Sequence, residues 1–303
     1  MSKIKSILVT GGAGFIGSNL VDSLIKKKYK VIVIDNLSTG FEKNINKKAD
    51  FEKLDLSKNL KQITRLLRHC DNIFHLAALP RIQPSFDDPI LHNNSNINAT
   101  LNLLIAMREN HCKKIVYSSS SSCYGNPKEI PTSENCNLNF LNPYALQKYV
   151  SEKYVTMLSQ KFGFSAISLR YFNVYGKKSF NKNNPFNAYS SVIGIFNYYR
   201  KNRLKIKVTG DGLQKRDFVH VNDVVDANIK AMKSSIRNSF FNVGTGKSIE
   251  IIKVAKLFSK NYDFIPARLG EAEITCANIN KIKSQLNWKP KIKLLEAIKN
   301  NLI

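Results

Sequence analysis

A glycine-rich segment near the N-terminus constrains the fold more than any other feature of the chain. Gly11, Gly14 and Gly17 lie in TGGAGFIGSNL, between the short apolar runs SILVT and KVIVI. Such runs are typical of strands that are buried on both faces of a parallel sheet, and the residues between them (14–28) have helical periodicity. The chain therefore begins with a βαβ unit whose first turn is rich in glycine.

Strands and helices continue to alternate up to about residue 170. Apolar runs predict further strands at residues 50–54, 72–76, 114–118 and 165–170. Helix-like segments separate them near residues 60–68, 90–110 and 143–162. Strands that alternate with helices in this way form a parallel sheet with helices on both faces. The sequence therefore predicts an α/β fold with a doubly wound parallel Rossmann sheet.

The regular alternation weakens after Gly176, where we place the change of domain. The stretch KKSFNKNNPFNAYS (177–190) is polar and Asn-rich, and it predicts a loop able to close over a ligand. Residues 1–176 are then the Rossmann domain. Residues 177–303 mainly form a smaller C-terminal substrate-binding lobe, with a helix at 191–201 and a helical tail after Trp288, and some of its segments return to the Rossmann sheet.

The chain carries a large positive charge, +25 from 47 Lys and Arg against 22 Asp and Glu. The lysines are spread along the whole sequence and accompany abundant Asn and Ile, so they are not concentrated on one element. This distribution predicts a solvated basic surface that attracts anionic, diphosphate-bearing substrates, and it does not favour a nucleic acid partner.

Cysteine spacing and hydropathy exclude other classes of protein. The five cysteines are scattered without a C-x-x-C pair, which predicts reduced thiols and neither a disulfide framework nor a metal site. Nowhere does the sequence offer the roughly 18 uncharged residues that a membrane helix needs. We therefore expect a cytoplasmic protein without a membrane partner.

The glycine-rich turn and the end of the second strand together predict a dinucleotide site. Glycines there allow backbone N–H groups to approach a pyrophosphate at the N-terminus of the helix. Asp35 follows the second strand, 18 positions after Gly17, where a carboxylate can accept hydrogen bonds from both hydroxyls of an adenosine ribose. It would repel a 2′-phosphate, so we expect NAD rather than NADP. The residues expected to bind NAD here are Gly11, Gly14, Phe15, Ile16, Gly17, Asp35, Asn36, Ser38, Thr39 and Gly40.

A tyrosine and a lysine are candidates for the chemistry. Tyr144 and Lys148 in NPYALQKYV are four residues apart on a predicted helix, so both side chains project from one face. A nearby ammonium favours the phenolate of a tyrosine and so makes it a usable base. Upstream, the serines of KIVYSSSSSCYG end a strand, at the sheet edge where ligands bind. Taken alone, the pair could be a chance pattern on an exposed helix and the serines a turn.

Nine motifs, in order along nearly the whole chain, resemble those of the extended short-chain dehydrogenase family. They are GGAGFIGSNL, DNLSTG, HLAAL, YSSSSSCYG, YALQK, LRYFNVYG, RDFVHVNDV, FNVGTG and RLGEAE. More narrowly, they resemble the NAD-dependent UDP-hexose and UDP-N-acetylglucosamine 4-epimerases of that family. The resemblance implies that Ser120, Tyr144 and Lys148 are catalytic and that Tyr144 and Lys148 also contact NAD.

The resemblance also implies sites beyond the three catalytic residues. Beside the adenine and along the cofactor it implies Asp55, Leu56, Ala77 and Ala78. For the substrate it implies Ser120, Ser121, Ser122, Asn173, Arg216, Arg268, Glu271 and Thr275. Among these, the two arginines would supply positive charge to the diphosphate and the carboxylate would reach the uridine ribose, chemistry that suits a guanidinium and a carboxylate respectively.

The implied activity is an NAD-dependent 4-epimerisation of a UDP-sugar through a 4-keto intermediate. A UDP-glucuronate 4-epimerase or decarboxylase remains an alternative, because those relatives share the serine, tyrosine and lysine. An alternative of another class is a non-catalytic Rossmann sensor that binds NAD. The family also implies a homodimer formed through the helix that carries Tyr144.

Two features concern the sugar. Thr275 stands where a bulky aromatic restricts family members to plain hexoses, so a threonine leaves room for an N-acetyl group, and PFNAYSSVI is similar to the loop of epimerases that act on UDP-GlcNAc and UDP-GalNAc. Pro80 and Arg81 depart from the residues that many hexose epimerases have near the nicotinamide and sugar. The identity of the sugar therefore stays open.

Overall fold

The computed structural model of the protein describes residues 6–180 and 190–303. Its strands are β1 (Ser6–Thr10), β2 (Val31–Asp35), β3 (Asp50–Lys53), β4 (Cys70–His75), β5 (Lys114–Ser120), β6 (Ser165–Tyr171), β7 (Asn173–Tyr175), β8 (Ile206–Thr209), β9 (Lys215–His220), β10 (Ser239–Val243), β11 (Ser248–Glu250) and β12 (Tyr262–Ile265). Its α-helices are α1 (Phe15–Lys26), α2 (Leu60–Leu67), α3 (Ile82–Asp87), α4 (Pro89–Asn93), α5 (Ala99–Glu109), α6 (Pro143–Phe162), α7 (Val192–Lys201), α8 (Val221–Lys233), α9 (Ile251–Phe258), α10 (Asn280–Gln285) and α11 (Leu294–Lys299). Most of the predicted loop at 177–190, and with it the first five residues of PFNAYSSVI, lies outside the described residues.

Seven of the described strands form one parallel sheet, in the order β3-β2-β1-β4-β5-β6-β10. The chain runs outward from β1 to β3, returns to β4, and continues in the opposite direction, so the strand order reverses between β1 and β4. Ligands of such sheets bind at the carboxyl ends of the strands beside this reversal. The predicted doubly wound α/β fold is confirmed.

Helices cover both faces of this sheet. On one face α1 and α8 pack against the strands in a cluster that includes the fully buried Trp288. On the other face α2, α5 and α6 pack in a second cluster around Leu103 and Val155. The five inner strands β2, β1, β4, β5 and β6 contribute side chains to both clusters, which explains why they are mostly apolar runs in the sequence.

Helix α6 begins and ends at the residues predicted. The side chain of Asn142 caps its N-terminus by accepting a hydrogen bond from the backbone of Ala145 at 2.8 Å, and Pro143 occupies its first position. Gly163, with φ of 82°, ends the helix in the left-handed conformation that glycine adopts most readily. These local signals place Tyr144 in the first turn and Lys148 one turn later.

The predicted helical segment at residues 90–110 is present, but it contains a π-helical turn that was not predicted. The structure has α4, then a π-helical turn at Asn94–Asn98, then α5. The turn points Asn96 inward, where its side chain accepts a hydrogen bond from the backbone N–H of Leu79 at 2.8 Å and donates to the carbonyl of Leu79 at 3.1 Å. The extra residue in the turn thus aligns Asn96 with the loop after β4, a role that helical periodicity cannot reveal.

The C-terminal lobe contains a small sheet of β7, β9 and β11, a parallel pair of β8 and β12, and the helices α7, α9 and α11 around a third apolar cluster. Its first strand, β7, precedes the predicted boundary at residue 176, whereas β10 lies at the edge of the seven-stranded sheet beside β6. The division into domains at residue 176 stays a prediction.

Other sequence predictions concern thiols, metals and membranes. All five cysteines are free thiols. No cluster of three or more His, Cys, Asp or Glu side chains in residues 6–180 and 190–303 could hold a metal ion. Within these same segments, no helix combines the length and apolar character needed to cross a membrane.

Candidate active site

A cavity of about 530 Å³ lies at the carboxyl edge of the seven-stranded sheet, between the sheet and the C-terminal lobe. It brings together all but one of the residues predicted to bind ligands. Those that line it are Gly11, Gly14, Phe15, Ile16, Gly17, Asp35, Asn36, Ser38, Thr39, Asp55, Leu56, Ala77, Ala78, Ser120, Ser121, Ser122, Tyr144, Lys148, Asn173, Arg216, Arg268, Glu271 and Thr275. The exception is Gly40, which packs behind the glycine-rich turn, where a Cβ atom would lie 2.9 Å from the carbonyl carbon of Ala13. The roles of these residues stay predictions.

The glycine-rich turn is too crowded for side chains. A Cβ atom on Gly17 would lie 2.1 Å from the carbonyl oxygen of Gly11, and one on Gly11, whose φ is 70°, would lie 2.7 Å from the backbone nitrogen of Ala77. Gly14 caps α1 without a side chain, and the first turn of α1 carries no acidic residue. The positive end of the helix therefore faces the cavity through backbone alone, which suits a pyrophosphate.

Asp35 is held rigidly at the edge of the cavity. Its carboxylate accepts hydrogen bonds from the backbone N–H of Ala13 at 2.9 Å and of Leu37 at 2.8 Å. Burial raises the pKa of Asp35, and both hydrogen bonds act against this rise. Each oxygen keeps lone pairs for further donors, so the carboxylate fits the ribose hydroxyls of a dinucleotide.

The opposite wall of the cofactor region consists of the loops after β3 and β4. Asp55 accepts hydrogen bonds from the backbone N–H and the hydroxyl of Ser57, at 2.9 and 2.7 Å. Leu56 is buried in the cluster beneath α2 and α5. The backbone N–H of Ala77 donates to the hydroxyl of Thr10 at 3.2 Å, which fixes the start of the loop that also carries Ala78.

A buried histidine orders this loop, and the sequence interpretation gave it no role. Thr100 donates to a backbone carbonyl at 2.7 Å, so it accepts from Nε2 of His75, 2.9 Å away. Nδ1 of His75 must then accept from Thr10, at 2.7 Å. Burial lowers the pKa of His75 to about 3, and the charge of Lys148 adds to this effect. The imidazole is therefore neutral and joins β1, β4 and α5. Its position at the head of HLAAL was the one available sequence signal.

The neutral His75 predicts a pH-dependent stability. The folded protein keeps this residue neutral down to pH about 3, whereas the unfolded chain takes up a proton below its ordinary pKa of 6.5. Stability is then fully present above pH 6.5 and falls by about 1.4 kcal/mol per pH unit as the pH drops towards 3. Urea unfolding at pH 7 and 5 measures the fall. Between these two pH values the free energy of unfolding should fall by about 2 kcal/mol less in His75→Gln than in the wild type. Equal falls in the two proteins would contradict the assignment of a neutral His75.

Ser120, Tyr144 and Lys148 meet at the centre of the cavity. The hydroxyl of Ser120, at the end of β5, accepts hydrogen bonds from the backbone N–H and the hydroxyl of Ser122, at 3.2 and 2.8 Å, and it lines the cavity together with the Tyr144 side chain. Burial raises the pKa of Tyr144, while the bond to Ser120 and the charge of Arg81 oppose the rise. The serine and the phenol thus share one point where a substrate oxygen can bind.

Lys148 lies deeper than Tyr144. Its Nζ atom is 4.4 Å from the centre of the Tyr117 ring. Burial lowers the pKa of Lys148 to about 7, and the carboxylate of Glu152, one turn further along α6, opposes this effect. The Lys148 amine, buried at this depth, can donate hydrogen bonds to a ligand in the cavity.

A buried ion pair beneath these residues was not predicted. Glu152 accepts two hydrogen bonds from Arg170, at 2.6 and 3.0 Å, and one from Ser119 at 2.6 Å. Both charged side chains are only 3% exposed. The pair connects α6 with the ends of β5 and β6, and so holds the strand end that carries Ser120. Glu152 is four residues after Lys148 and Arg170 lies in LRYFNVYG, but only the fold brings them together.

The C-terminal lobe supplies the predicted substrate residues. Asn173 donates hydrogen bonds to the hydroxyl of Thr275 at 3.0 Å and to a neighbouring carbonyl. Glu271 forms ion pairs with Arg216 at 3.3 Å and with Arg268 at 3.8 Å. The two guanidinium groups therefore lie on either side of one carboxylate, and the phosphates of a ligand could compete for both of them.

Comparison with known proteins decides the family. The model of the NAD dependent epimerase/dehydratase family matches residues 7–244. The chain belongs to this family. It is therefore an enzyme, and its cofactor is NAD, as the glycine-rich turn and Asp35 predicted.

Relatives of this NAD-dependent epimerase/dehydratase match it over nearly its whole length. A putative UDP-glucose 4-epimerase of Methanocaldococcus jannaschii is 40% identical over 302 residues, which cover 97% of this chain and 96% of the relative. The structure of a Thermotoga maritima UDP-glucose 4-epimerase with UDP-glucose has a TM-score of 0.92 and 35% identity, over 97% of this chain and 96% of the other. A UDP-N-acetylglucosamine 4-epimerase from Methanobrevibacter ruminantium, in complex with UDP-N-acetylmuramic acid, has a TM-score of 0.89 and 34% identity, over 99% and 96%.

Proposed function

We propose that this enzyme inverts the configuration at C4 of a UDP-linked hexose, with UDP-GlcNAc and UDP-GalNAc, or UDP-Glc and UDP-Gal, as the interconverted pair. The observation that carries the proposal is the meeting of Ser120, Tyr144 and Lys148 at the carboxyl edge of the sheet, inside the cavity that is also lined by the predicted NAD residues. The names of the relatives support the same reaction.

Tyr144 and Ser120 handle the proton of the sugar 4-hydroxyl in this proposal. The glycine-rich turn and Asp35 would hold NAD, which would supply the hydride acceptor and donor for C4. Tyr144 as phenolate removes the hydroxyl proton as the hydride leaves C4, so that a 4-keto sugar forms, and it gives the proton back when the hydride returns. Ser120 donates a hydrogen bond to the sugar O4 atom and stabilises the negative charge that develops on this atom. Lys148 binds the hydroxyls of the nicotinamide ribose from its buried position in α6.

The C-terminal lobe holds the nucleotide in this proposal. Arg216 and Arg268 bind the diphosphate oxygens, for which their planar guanidinium groups provide paired donors. Glu271, released from part of its contact with them, accepts hydrogen bonds from the uridine ribose. Asn173 binds near the diphosphate. The sugar itself is left with few fixed partners, which permits the keto intermediate to turn and present its other face.

We favour an N-acetylated or dual substrate specificity. Thr275 lines the cavity with a short side chain whose hydroxyl is already bonded to Asn173, so it leaves room beside the sugar. A bulky aromatic at this position would fill that space. The second sequence feature, PFNAYSSVI, lies mostly outside the described residues and adds no geometry to the argument.

Direct assay of three sugars tests the function. Purified protein with NAD is incubated separately with UDP-GlcNAc, UDP-Glc and UDP-GlcA, and the products are separated by chromatography. We expect the galacto isomer from UDP-GlcNAc, UDP-Glc or both. A pentose product from UDP-GlcA would replace the proposal with a decarboxylase, and binding of NAD without turnover of any sugar would replace it with a sensor.

The carboxylate of Asp35 predicts the choice of cofactor. Asp35→Asn keeps the size of the side chain but removes its charge and one acceptor for the ribose. Because a hydrogen bond to a charged group contributes about 1.5–3 kcal/mol, NAD affinity should fall by about tenfold or more. NADP affinity should rise, since the like charge facing its 2′-phosphate is lost.

Calorimetric titration of both cofactors measures these changes at position 35. Asp50→Ala is the matched control, because Asp50 is an exposed acidic residue at the opposite end of the neighbouring strand β3. Unchanged affinities in Asp35→Asn, or equal changes in Asp50→Ala, would contradict the assignment of Asp35 to the ribose.

We also propose a homodimer formed through α6. This helix exposes Leu146, Tyr154 and Met157, and α4 beside it exposes Ile90 and Leu91. Exposed apolar side chains concentrated on adjacent helices are typical of surfaces that bind another protein. Sedimentation equilibrium tests the proposal, because a monomer at micromolar concentration would contradict it. A cytoplasmic location stays a prediction.

A further inference from the structure

Arg81 has a backbone conformation that a residue with a side chain rarely adopts. Its φ is 88° and its ψ is 144°, at the junction between the loop after β4 and the start of α3. This region is strained for any residue except glycine, and it persists only where the surrounding structure holds it. Strain of this kind concentrates at functional sites. Arg81 lines the same cavity as Ser120 and Tyr144.

The residues on both sides of Arg81 are fixed by hydrogen bonds. Leu79 is held at its N–H and its carbonyl by the side chain of Asn96, at 2.8 and 3.1 Å. Ser85 donates its hydroxyl hydrogen to the carbonyl of Ile82 at 2.6 Å and accepts a hydrogen bond from the backbone N–H of Tyr144 at 3.1 Å. The segment that carries Arg81 is thereby joined directly to the backbone of Tyr144.

The C-terminal lobe closes over the same segment. Gln83 donates a hydrogen bond to the carbonyl of Leu269 at 2.7 Å, and Asn142 donates one to the carbonyl of Gly270 at 2.9 Å. A Cβ atom on Gly270 would lie 2.9 Å from the Phe86 ring, so the backbone of this loop packs tightly against α3. The loop between Arg268 and Glu271 is thus anchored beside Arg81.

The charged and titratable groups around Tyr144 come from several elements. Burial raises the pKa of Tyr144, and Cys123 adds to this rise, while Ser120 and the charge of Arg81 oppose it. Arg268 and Glu271 face Arg81 from the other lobe. The ammonium of Lys148, although it lies on the same helix as Tyr144, is over the Tyr117 ring.

Arg81 remains a cation at neutral pH. Burial and the neighbouring Arg268 lower its pKa to about 10, while Glu271 and Tyr144 act in the opposite sense. A guanidinium delocalises its charge and is weakly hydrated, which makes it the cation best suited to a buried contact with an anion. A phenolate is such an anion.

We propose that Arg81 is a positioning residue for Tyr144: its guanidinium shares the cavity with the phenol and stabilises the phenolate that takes the proton from the substrate. The strained backbone, the bonds through Ser85 and Asn96, and the loop beside Arg268 hold it in place. Arg81 keeps its own proton throughout, since the proton passes only between the sugar hydroxyl and Tyr144. The inference rests on the proposed function for the part that Tyr144 plays in turnover.

Titration of Tyr144 in the NAD-bound enzyme tests the electrostatic contact without turnover. The chain has 12 tyrosines, so the signal of Tyr144 must be separated from the signals of the others. To do this, the tyrosinate absorbance of the Tyr144→Phe variant is subtracted from that of the same enzyme with Tyr144 intact. In Arg81→Met the midpoint of the remaining signal should rise by about one to three pH units, the effect of losing an opposite charge at close range. Arg81→Lys should restore most of the shift.

Two further variants separate charge from folding. Arg81→Gly suits the positive φ and carries no charge, so it should fold and show the same shift as Arg81→Met. Arg203→Met is the matched control, because Arg203 also has a positive φ, of 56°, but is exposed and does not line the cavity. It should titrate as the wild type does.

The pH profile of kcat/KM provides the second measurement. Its acidic limb should move to higher pH in Arg81→Met and Arg81→Gly by the same amount as the spectroscopic midpoint. A rise in KM with no movement of either titration would show a contact with the substrate instead, and would overturn the proposal. An unchanged midpoint in both variants would also overturn it. A shifted midpoint in an enzyme that turns over no sugar would support the contact and contradict only the proposed function.

Discussion

Tyr144→Phe should lower kcat for epimerisation by about 10²- to 10⁴-fold, the range that a positioned acid or base contributes. The variant removes the phenolic oxygen, whose pKa Ser120 and the charge of Arg81 lower against the effect of burial, and it leaves the ring and the helix in place. Ser120 keeps its hydrogen bonds from Ser122 at 3.2 and 2.8 Å, so the end of β5 should not move. NAD should remain bound.

Tyr149→Phe is the matched control for this change. Tyr149 lies five residues later in the same helix, and its ring packs on Phe140 at 5.1 Å outside the cavity. We expect its turnover to equal that of the wild type. Single-turnover assays with saturating NAD make the comparison, and a Tyr144→Phe enzyme within tenfold of the wild type would contradict the assignment of Tyr144 as the base.

Glu152→Met should reduce the free energy of unfolding by about 3–5 kcal/mol, because it leaves the guanidinium of Arg170 buried without its carboxylate. Both side chains are 3% exposed, so water cannot replace the lost partner. The loss should also reduce activity, since Glu152 accepts the hydrogen bond of Ser119 and so fixes the residue before Ser120. Urea unfolding measures the first effect and turnover the second.

The double variant Glu152→Met/Arg170→Met separates the ion pair from its cost of burial. With both charges gone, the double variant should lose much less unfolding free energy than the two single variants lose together. This holds although the hydrogen bond from Arg170 to Tyr124, at 2.8 Å, is also lost. Additive losses would show that the pair is not energetically coupled and would contradict the prediction.

Features that depend on neighbouring residues in the chain were predictable. Glycine is required at positions 11 and 17 because a Cβ atom there would collide with backbone, and this requirement is visible in the sequence as the residue type. Asp35 follows a strand whose end is set by its apolar run. The bounds of α6 follow from its cap, its proline and its final glycine. Each of these signals acts within a few residues of the position that it determines.

Features that depend on distant residues were not predictable. The π-helical turn at residues 94–98 exists because Asn96 bonds the loop after β4, 17 residues earlier in the chain. The neutral tautomer of His75 depends on partners 65 and 25 residues away. The motif resemblance led to Arg216, Arg268 and Glu271, but their arrangement on either side of one carboxylate is a tertiary contact.

The sequence by itself determined the parallel sheet, the NAD site and the helix that carries Tyr144 and Lys148, since these follow from apolar periodicity and from residue types with restricted backbone conformations. Only the tertiary structure decided which cation faces Tyr144. Lys148 is the neighbour along the helix, yet its ammonium lies over Tyr117, while Arg81, 63 residues before Tyr144, lines the cavity beside it. Side-chain electrostatics depend on distance in space, and chain separation does not encode that distance.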